Sequence, residues 1–192
     1  MGSQEMGAVM LNREKEQRAI SYLKNFEPIT EPYYLCYSGG KDSDTIRILA
    51  DLAGVNYECH NNHTTVDAPE TVFYIRKVMS QYGEMRIEHD PKDGHKIYRY
   101  GDRGFVHLWR TMWELIPERR MPPTRIARYC CAELKEKGGA GRRKITGVRW
   151  SESITRKNNQ GLVTIIGKTK TVENEAEKQN ANFLRTNKGG WC

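Results

Sequence analysis

The chain of 192 residues contains no apolar run that approaches the roughly 18 residues of a membrane span. Its N-terminus has no apolar signal core, so the sequence predicts a protein that is not exported. Internal repeats and low-complexity segments are also absent, and 38% hydrophobic with 29% charged residues is an ordinary globular composition. We therefore predict a single cytoplasmic domain that does not contact a membrane.

Cysteine is too scarce and too unevenly placed for a disulfide framework. The five cysteines are an odd number, and two of them are adjacent. This pattern indicates a reducing compartment. The segment CHNNH (59–63) has too few ligands, at the wrong spacing, for a zinc site.

Positive charge is concentrated in one part of the chain. The net charge is +7, but residues 119–157 alone hold twelve Lys or Arg against three Glu. Because the rest of the chain is slightly acidic, the excess is local and favours a polyanion site. A solvated basic face remains the alternative interpretation.

Short β-prone runs alternate with helical patterns between residues 33 and 150. The β-prone runs are at 33–37, 55–60, 84–89 and 144–149, and helical spacing occurs at 11–25, 43–54, 68–83 and 107–120. Residues 90–106 are predicted to form a polar excursion or small hairpin. The alternation predicts an α/β fold with a parallel sheet, and such sheets bind ligands at the carboxyl ends of their strands.

The segment SGGKDS (38–43) follows the first predicted strand and opens the next predicted helix. Gly39 and Gly40 allow a tight turn and let a ligand approach the backbone with no Cβ in the way. The amides of this segment, with the positive end of the helix, would form a cradle for an anion. The spacing of a Walker A loop is absent.

The polar side chains of the same segment fit a phosphate site. Lys41 supplies a mobile positive charge, and Ser38 and Ser43 supply hydroxyl donors. Asp42 is the unusual member, because a carboxylate repels a phosphate unless a divalent cation or a helix N-terminus lies between them. We therefore expect this loop to bind the phosphate end of a nucleotide.

Four motifs resemble those of the phosphoadenosine phosphosulfate (PAPS) reductase family. They are SGGKDS (38–43), TTVDAPET (64–71), RYCCAELK (128–135) and TGVRWSESITR (146–156), and they occur in the family's order. The first resembles the PP-loop of the adenine nucleotide α-hydrolase-like superfamily, which also includes ATP pyrophosphatases.

The resemblance implies a Rossmann-like, doubly wound parallel sheet that binds ATP, AMP or PAPS, with the phosphate or sulfate end over residues 38–43. It implies that Lys41 and Asp42 are catalytic, and Mg²⁺ would accompany ATP. The other residues that it places around the nucleotide are Thr65, Asp67, Lys135, Gly147, Arg149 and Arg156. Arginine forks suit phosphate and sulfate oxygens, so the basic segment agrees with this placement.

The C-terminal part departs from the family. The reductases are similar to one another in a nucleophilic cysteine within a Glu-Cys-Gly-type motif, which this sequence lacks. Cys192 is the remaining candidate for that nucleophile. We expect one domain over 1–192 with a core at about 28–157, and residues 158–192 as an extended arm, a hairpin or part of a larger C-terminal region.

Cys130 and Cys131 resemble half of an iron–sulfur ligand set. Relatives that hold a [4Fe–4S] cluster combine an adjacent Cys-Cys with a later Cys-x-x-Cys, and the second half is absent here. Since a cluster normally needs four thiolates, the ligand set is incomplete. The alternative is that the pair packs as two small core residues at the start of a helix.

Three functions follow from these motifs. The first is sulfonucleotide reduction, with a thiol reductant protein as a partner. The second is a Mg²⁺-dependent ATP pyrophosphatase that adenylates an acceptor, and the basic segment would suit a nucleic acid as that acceptor. The third is a nucleotide-binding module without catalysis. The sequence leaves the oligomeric state open.

Overall fold

The computed structural model describes residues 3–147, with side chains described from Asn12 onward. These residues belong to one compact unit. Arg149, Arg156, Cys192 and the predicted arm at 158–192 lie outside the described residues, so the expectations about them stay predictions.

The described residues form four α-helices and six strands. The helices are α1 (Ser3–Asn25), α2 (Lys41–Ala53), α3 (Pro69–Met79) and α4 (Met112–Arg119). The strands are β1 (Tyr33–Cys36), β2 (Tyr57–Asn62), β3 (Met85–His89), β4 (Lys96–Tyr100), β5 (Gly104–Leu108) and β6 (Lys144–Ile145). A 3₁₀ turn spans Ser80–Tyr82, and a π-helical turn spans Cys131–Lys135.

One mostly parallel sheet contains all six strands in the order β3-β4-β5-β2-β1-β6. Strands β5, β2, β1 and β6 are parallel neighbours, whereas β4 is antiparallel to both β3 and β5. The predicted α/β class is therefore confirmed, and the architecture is compatible with a Rossmann-like fold. None of the described helices is long and apolar enough to cross a bilayer.

The region from 90 to 111 confirms one expectation and corrects another. Of the two alternatives for residues 90–106, the hairpin is confirmed, because β4 and β5 pair as an antiparallel hairpin, and β5 also pairs in parallel with β2 in the interior of the sheet. The helical pattern predicted from His107 is wrong at its start, because residues 107 and 108 still belong to β5. Helix α4 begins at Met112, where the Thr111 hydroxyl and the Glu114 side chain form a capping box.

One face of the sheet carries the main core. Side chains at alternate positions of β1 and β2 point to this face, among them Leu35 (0% exposed) and Tyr57 (1%), and they pack against α2 and α3. Helix α1 adds Ile20 and Leu23 to the same cluster. Burial of this apolar face is the main source of stability that the described residues show.

The opposite face of the sheet carries aromatic and histidine side chains. The ring of Tyr34 stacks on His60 at a centroid distance of 3.8 Å. Gly138 and Gly139 lie close against Tyr34, so the chain that leads to β6 covers this face. A separate small cluster of Met112, Leu115 and Leu134 joins α4 to the π-helical turn.

Replacing Leu35 by Ala should reduce the free energy of unfolding by about 2–5 kcal/mol, because it leaves a cavity beneath α2 and α3. Leu52 is the matched control, since the same change at this 58% exposed position of α2 should alter stability by less than about 0.5 kcal/mol. Urea denaturation followed by circular dichroism measures both. Equal losses for the two variants would contradict the core assigned here.

Candidate functional site

The strand order reverses at β1. From β1 the chain passes to β2 and β5 on one side, and it returns to form β6 on the other side. In α/β sheets, ligands bind in the crevice outside the carboxyl ends of the two strands at such a reversal. The segment 38–43 follows β1 directly, and Gly147 follows β6 by two residues. The switch point therefore coincides with two of the predicted motifs.

Gly147 lies against the first turn of α2. A Cβ at this position would lie 2.9 Å from both the carbonyl carbon and the carbonyl oxygen of Asp42, which is closer than real Cβ atoms come. Only glycine fits this approach of two backbones. The structure thus brings together two residues that the sequence placed in one site from motifs more than 100 positions apart.

Gly39 is required by the conformation of the loop. Its φ of +75° lies in the left-handed region, and a Cβ would lie 2.7 Å from Cγ1 of Ile75 on α3. Any larger residue would be strained here whatever the space around it. Gly39 therefore sets the turn and packs it against α3.

Gly40 is required neither by the conformation nor by packing within the described residues. Its backbone is extended, with φ −91° and ψ 163°, and the nearest atom to an added Cβ is the Ser38 hydroxyl oxygen at 3.6 Å. A side chain could therefore be accommodated without strain. The absence of one leaves the backbone at the start of α2 open to an approaching group.

The start of α2 offers backbone donors. Gly40 occupies the N-cap position and supplies no side-chain acceptor for the first-turn N–H groups. The buried Ser43 hydroxyl donates to the Gly40 carbonyl oxygen at 2.7 Å, so its hydrogen is already used within the loop. Ser38 and Lys41 are exposed and Asp42 is half-buried. The Ser38 hydroxyl donates to Ser43 Oγ at 3.3 Å, a long contact that an anion would have to replace. Donors for a bound anion are therefore the amides and the Lys41 ammonium group, together with the Ser38 hydroxyl once it turns away from Ser43.

Asp44, which the sequence analysis did not single out, anchors the loop. Its two carboxylate oxygens accept hydrogen bonds from the hydroxyls of Tyr37 at 2.6 Å and Tyr74 at 2.7 Å. Burial and the Asp44 carboxylate raise the pKa of Tyr37, so this hydroxyl keeps its proton. The carboxylate links the residue after β1 to α2 and α3, and its two oxygens accept hydrogen bonds from these hydroxyls.

A second anchor holds the residue before the loop. The buried Asn61 amide donates to the Tyr37 carbonyl oxygen at 2.9 Å, and the Tyr37 N–H donates to the His60 carbonyl oxygen at 2.7 Å. Asn61 lies in β2, one residue beyond the β-prone run at 55–60, so the sequence pattern contained no signal of its buried polar role. The loop therefore starts from a fixed position.

Thr65 and Asp67 lie in the loop after β2, at the same edge of the sheet. Thr65 has a φ of +65°, which is strained for a β-branched residue, and its hydroxyl accepts a hydrogen bond from the Met112 N–H. Asp67 Oδ2 accepts from both the N–H and the hydroxyl of Thr64. Both predicted residues thus shape the loop that borders the crevice, and strain of this kind is common at functional sites.

Lys135 is also placed at the carboxyl end of β2. The Asn62 amide donates to the carbonyl oxygens of Lys135 and Lys137, each at 2.8 Å. The Lys135 side chain is exposed. The basic segment therefore reaches the same edge of the sheet as the loop at 38–43.

The described cysteines divide into two kinds. Burial raises the pKa of the Cys36 thiol, and it raises that of Cys59 to about 12, so both keep their protons at neutral pH. Cys130 and Cys131 are partly exposed, and the Arg128 guanidinium donates to Cys131 Sγ at 3.7 Å. Within residues 12–147, no histidine, carboxylate or further cysteine joins this pair as a third ligand. Of the four thiolates that a [4Fe–4S] cluster normally needs, the described residues could thus offer at most these two.

Three other possible metal ligands, Asp90, Asp93 and His95, have ligand atoms within 4.8 Å of one another. Asp90 Oδ1 accepts from the Lys92 N–H at 2.7 Å, and Asp93 Oδ1 contacts both the N–H and the ring Nδ1 of His95. Hydrogen bonds within the same turn therefore explain why these three side chains lie together, and we assign no metal to them.

Comparison with known proteins gives no match to this chain from family models, curated proteins or solved structures. The resemblance to the PAPS reductase family thus rests on the four motifs alone.

Gly39→Ala and Gly40→Ala should differ sharply in stability. The first should cost about 1–2 kcal/mol or more, because alanine is strained at positive φ and would press on Ile75. The second should change the free energy of unfolding by less than about 1 kcal/mol, since its backbone is already extended. Chemical denaturation of the two variants measures the difference. A larger loss at residue 40 than at residue 39 would refute this loop geometry.

Proposed function

We propose that this protein binds an adenine nucleotide with its phosphate or sulfate end over the 38–43 loop, and reduces an adenylyl sulfate of the PAPS type. In that reaction a cysteine thiolate attacks the sulfur, and the nucleoside phosphate leaves. A thiol reductant then attacks the resulting S-sulfonate, which releases sulfite and leaves a disulfide. The protein would thus be similar in reaction to the reductases that its motifs resemble.

The proposal that this protein binds a nucleotide rests mainly on the environment of Gly40. Neither conformation nor packing in the described residues requires a glycine there, yet it lies at the switch point beside uncapped amides of α2. A ligand that needs close backbone contact explains the missing side chain. Phosphate and sulfate groups are the ligands that such a helix start prefers.

Charge around the loop supports an anionic ligand. Lys41 is exposed beside the amides, and the Asp44 carboxylate is occupied by Tyr37 and Tyr74. The segment that carries Lys135 lies at the same edge of the sheet. Arg149 and Arg156, which lie just after Gly147 in the sequence, would complete the positive set.

A Mg²⁺-dependent ATP pyrophosphatase is the second candidate, and the two buried cysteines are consistent with it. Cys36 and Cys59 keep their protons, so neither suits the nucleophile of a reductase. Adenylation of an acceptor needs no cysteine, and Asp42 at the loop is a residue that could bind the cation that accompanies ATP. The basic segment would then suit a nucleic acid as the acceptor.

Replacing Gly40 by Val should abolish binding of AMP, ATP and PAPS while it leaves the fold intact. The β-branched side chain would occupy the space in front of the α2 amides. Titration calorimetry measures the affinity, and circular dichroism checks the fold. Leu52→Ala, on the exposed side of α2, is the control that should bind normally. Unchanged affinity of Gly40→Val would rule out the proposed nucleotide site.

The products that the protein releases distinguish the reductase from the pyrophosphatase. With PAPS and a thiol reductant, a reductase should release sulfite, and replacing Cys130, Cys131 and Cys192 together by Ser should abolish it, because the remaining thiols are protonated. With Mg–ATP, a pyrophosphatase should release pyrophosphate, and the same triple variant should retain this activity. Binding of nucleotide without either product would leave the non-catalytic module as the function.

A further inference from the structure

A row of three buried histidines crosses the sheet face opposite to α2 and α3. His60 lies in β2, His107 in β5 and His95 just before β4, and their exposed fractions are 6%, 8% and 7%. His60 Nδ1 lies 2.8 Å from His107 Nε2, and His107 Nδ1 lies 3.3 Å from His95 Nε2. Each central ring nitrogen therefore faces a nitrogen of the next ring.

A carboxylate closes each end of the row. His60 Nε2 lies 2.9 Å from Glu58 Oε2, and His95 Nδ1 contacts Asp93 Oδ1. Hydrogen bonds from His95 lower the pKa of Asp93, and those from His60 and Arg142 outweigh burial to lower the pKa of Glu58. Both end groups are therefore ionised at neutral pH and can only accept hydrogen bonds.

The number of protons in the row follows from these contacts. Two N···N contacts and two N···O contacts each need one hydrogen, which makes four. A neutral imidazole carries one hydrogen on nitrogen, so three neutral rings supply only three. With a carboxylate at each end, His60 and His95 must donate outward. His107 must then donate from both nitrogens, which only an imidazolium can do.

We propose that this row is a binding site for one proton, held formally on His107 and retained by the folded protein above the pH at which free histidine loses its proton. Without it, lone pairs of two buried nitrogens would face each other, and such unsatisfied groups destabilise a folded protein. The His95–His107 contact, at 3.3 Å, is the longer of the two N···N contacts, so it is the one that we expect to be lost when the proton leaves.

The charges around the row balance the added proton. Arg142 donates to Glu58 Oε2 at 2.6 Å, so Arg142 and one imidazolium together neutralise the Glu58 and Asp93 carboxylates. Tyr34 stacks on His60 and Cys36 pairs with it in register, and burial raises the pKa of both, so they are neutral. The remaining charged groups that face the row are Asp90 within 4.8 Å of His95, Glu31 beside Arg142, Lys137 near Asp93, Lys144 over Tyr34 and Arg99 over Phe105.

Burial of His107 disfavours the charged form of its ring. Burial acts to lower the pKa of His107, and positive charge on His60 and His95 would lower it further. In a row that holds a single added proton, His60 and His95 are neutral, so their contribution is absent. Burial of one imidazolium then competes with two short-range hydrogen bonds and two carboxylates, and the hydrogen-bond count favours the proton.

The substitution Asp93→Asn tests this count of hydrogens, because it changes the number of protons that the three histidines need to satisfy their four contacts. The new amide can donate to His95 Nδ1, and His95 can then donate to His107, His107 to His60, and His60 to Glu58. All four contacts are satisfied by neutral rings. Asp90→Asn is the matched control, since it removes the same charge from the same turn, within 4.8 Å of His95, and Asp90 accepts no hydrogen bond from a ring of the row.

The readout is the pH dependence of stability. A proton bound in the folded state and absent from the unfolded state makes the wild type lose stability above pH ~6.5, by up to tenfold in the folding constant per pH unit. Relative to Asp93→Asn, the wild type should lose roughly tenfold or more between pH 6.5 and 9, and Asp90→Asn should follow the wild type. A ratio of wild type to Asp93→Asn that stays constant, or that rises with pH, would overturn the proposal.

Nitrogen NMR of the wild type gives an answer that does not depend on any variant. At pH 7, one of the three buried rings should have the signals of an imidazolium with both nitrogens protonated, and the other two should each have one protonated nitrogen. Three neutral rings at that pH would refute the shared proton.

Discussion

The candidate site depends on the position of β1 between two parallel partners. Strand β1 pairs with β2 on one side and β6 on the other, and its inner face is buried beneath α2 and α3. The residues after β1 therefore emerge where the two halves of the sheet diverge, which is the one place at which a parallel sheet leaves an open crevice. The loop needs no special scaffold beyond this pairing.

Backbone contacts then fix the loop before any ligand arrives. Gly39 packs on Ile75, Gly147 packs on the backbone of Asp42, and the Asp44 carboxylate joins Tyr37 to Tyr74. Hydrogen bonds to a charged group are worth about 1.5–3 kcal/mol each when well formed, so this anchor is a substantial restraint. A preformed loop loses little conformational entropy on binding, which favours affinity for a small anionic group.

The sequence predicted the elements that depend on local pattern. The strand at 33–37, the loop at 38–43 and the helix that follows are readable because an apolar run, two glycines and helical spacing occur in succession. It could not predict that β5 extends to residue 108 and pairs with β2, because a five-residue strand that contains His107 has no distinct pattern until β2 is beside it. The start of the neighbouring helix was misplaced for the same reason.

Contacts that depend on how neighbouring strands and helices are aligned could not be predicted from the sequence either. Asp44 and Tyr74 meet only because α2 and α3 lie side by side, and the three buried histidines align only through the pairing of β2, β5 and β4. By contrast, the proximity of Gly147 and Asp42 was anticipated from the order of the motifs, and the structure supplies its physical reason in a backbone approach that excludes a Cβ.

Amide NMR during a titration with AMP tests the central claim most directly, with adenosine as the control ligand. If the phosphate lies over the start of α2, AMP should shift the amide signals of residues 38–43 and of Gly147 well beyond those of the rest of the chain. Adenosine, which lacks the phosphate, should leave the 38–43 amides nearly unchanged. Saturable AMP binding that shifts amides elsewhere and leaves these signals in place would contradict the account.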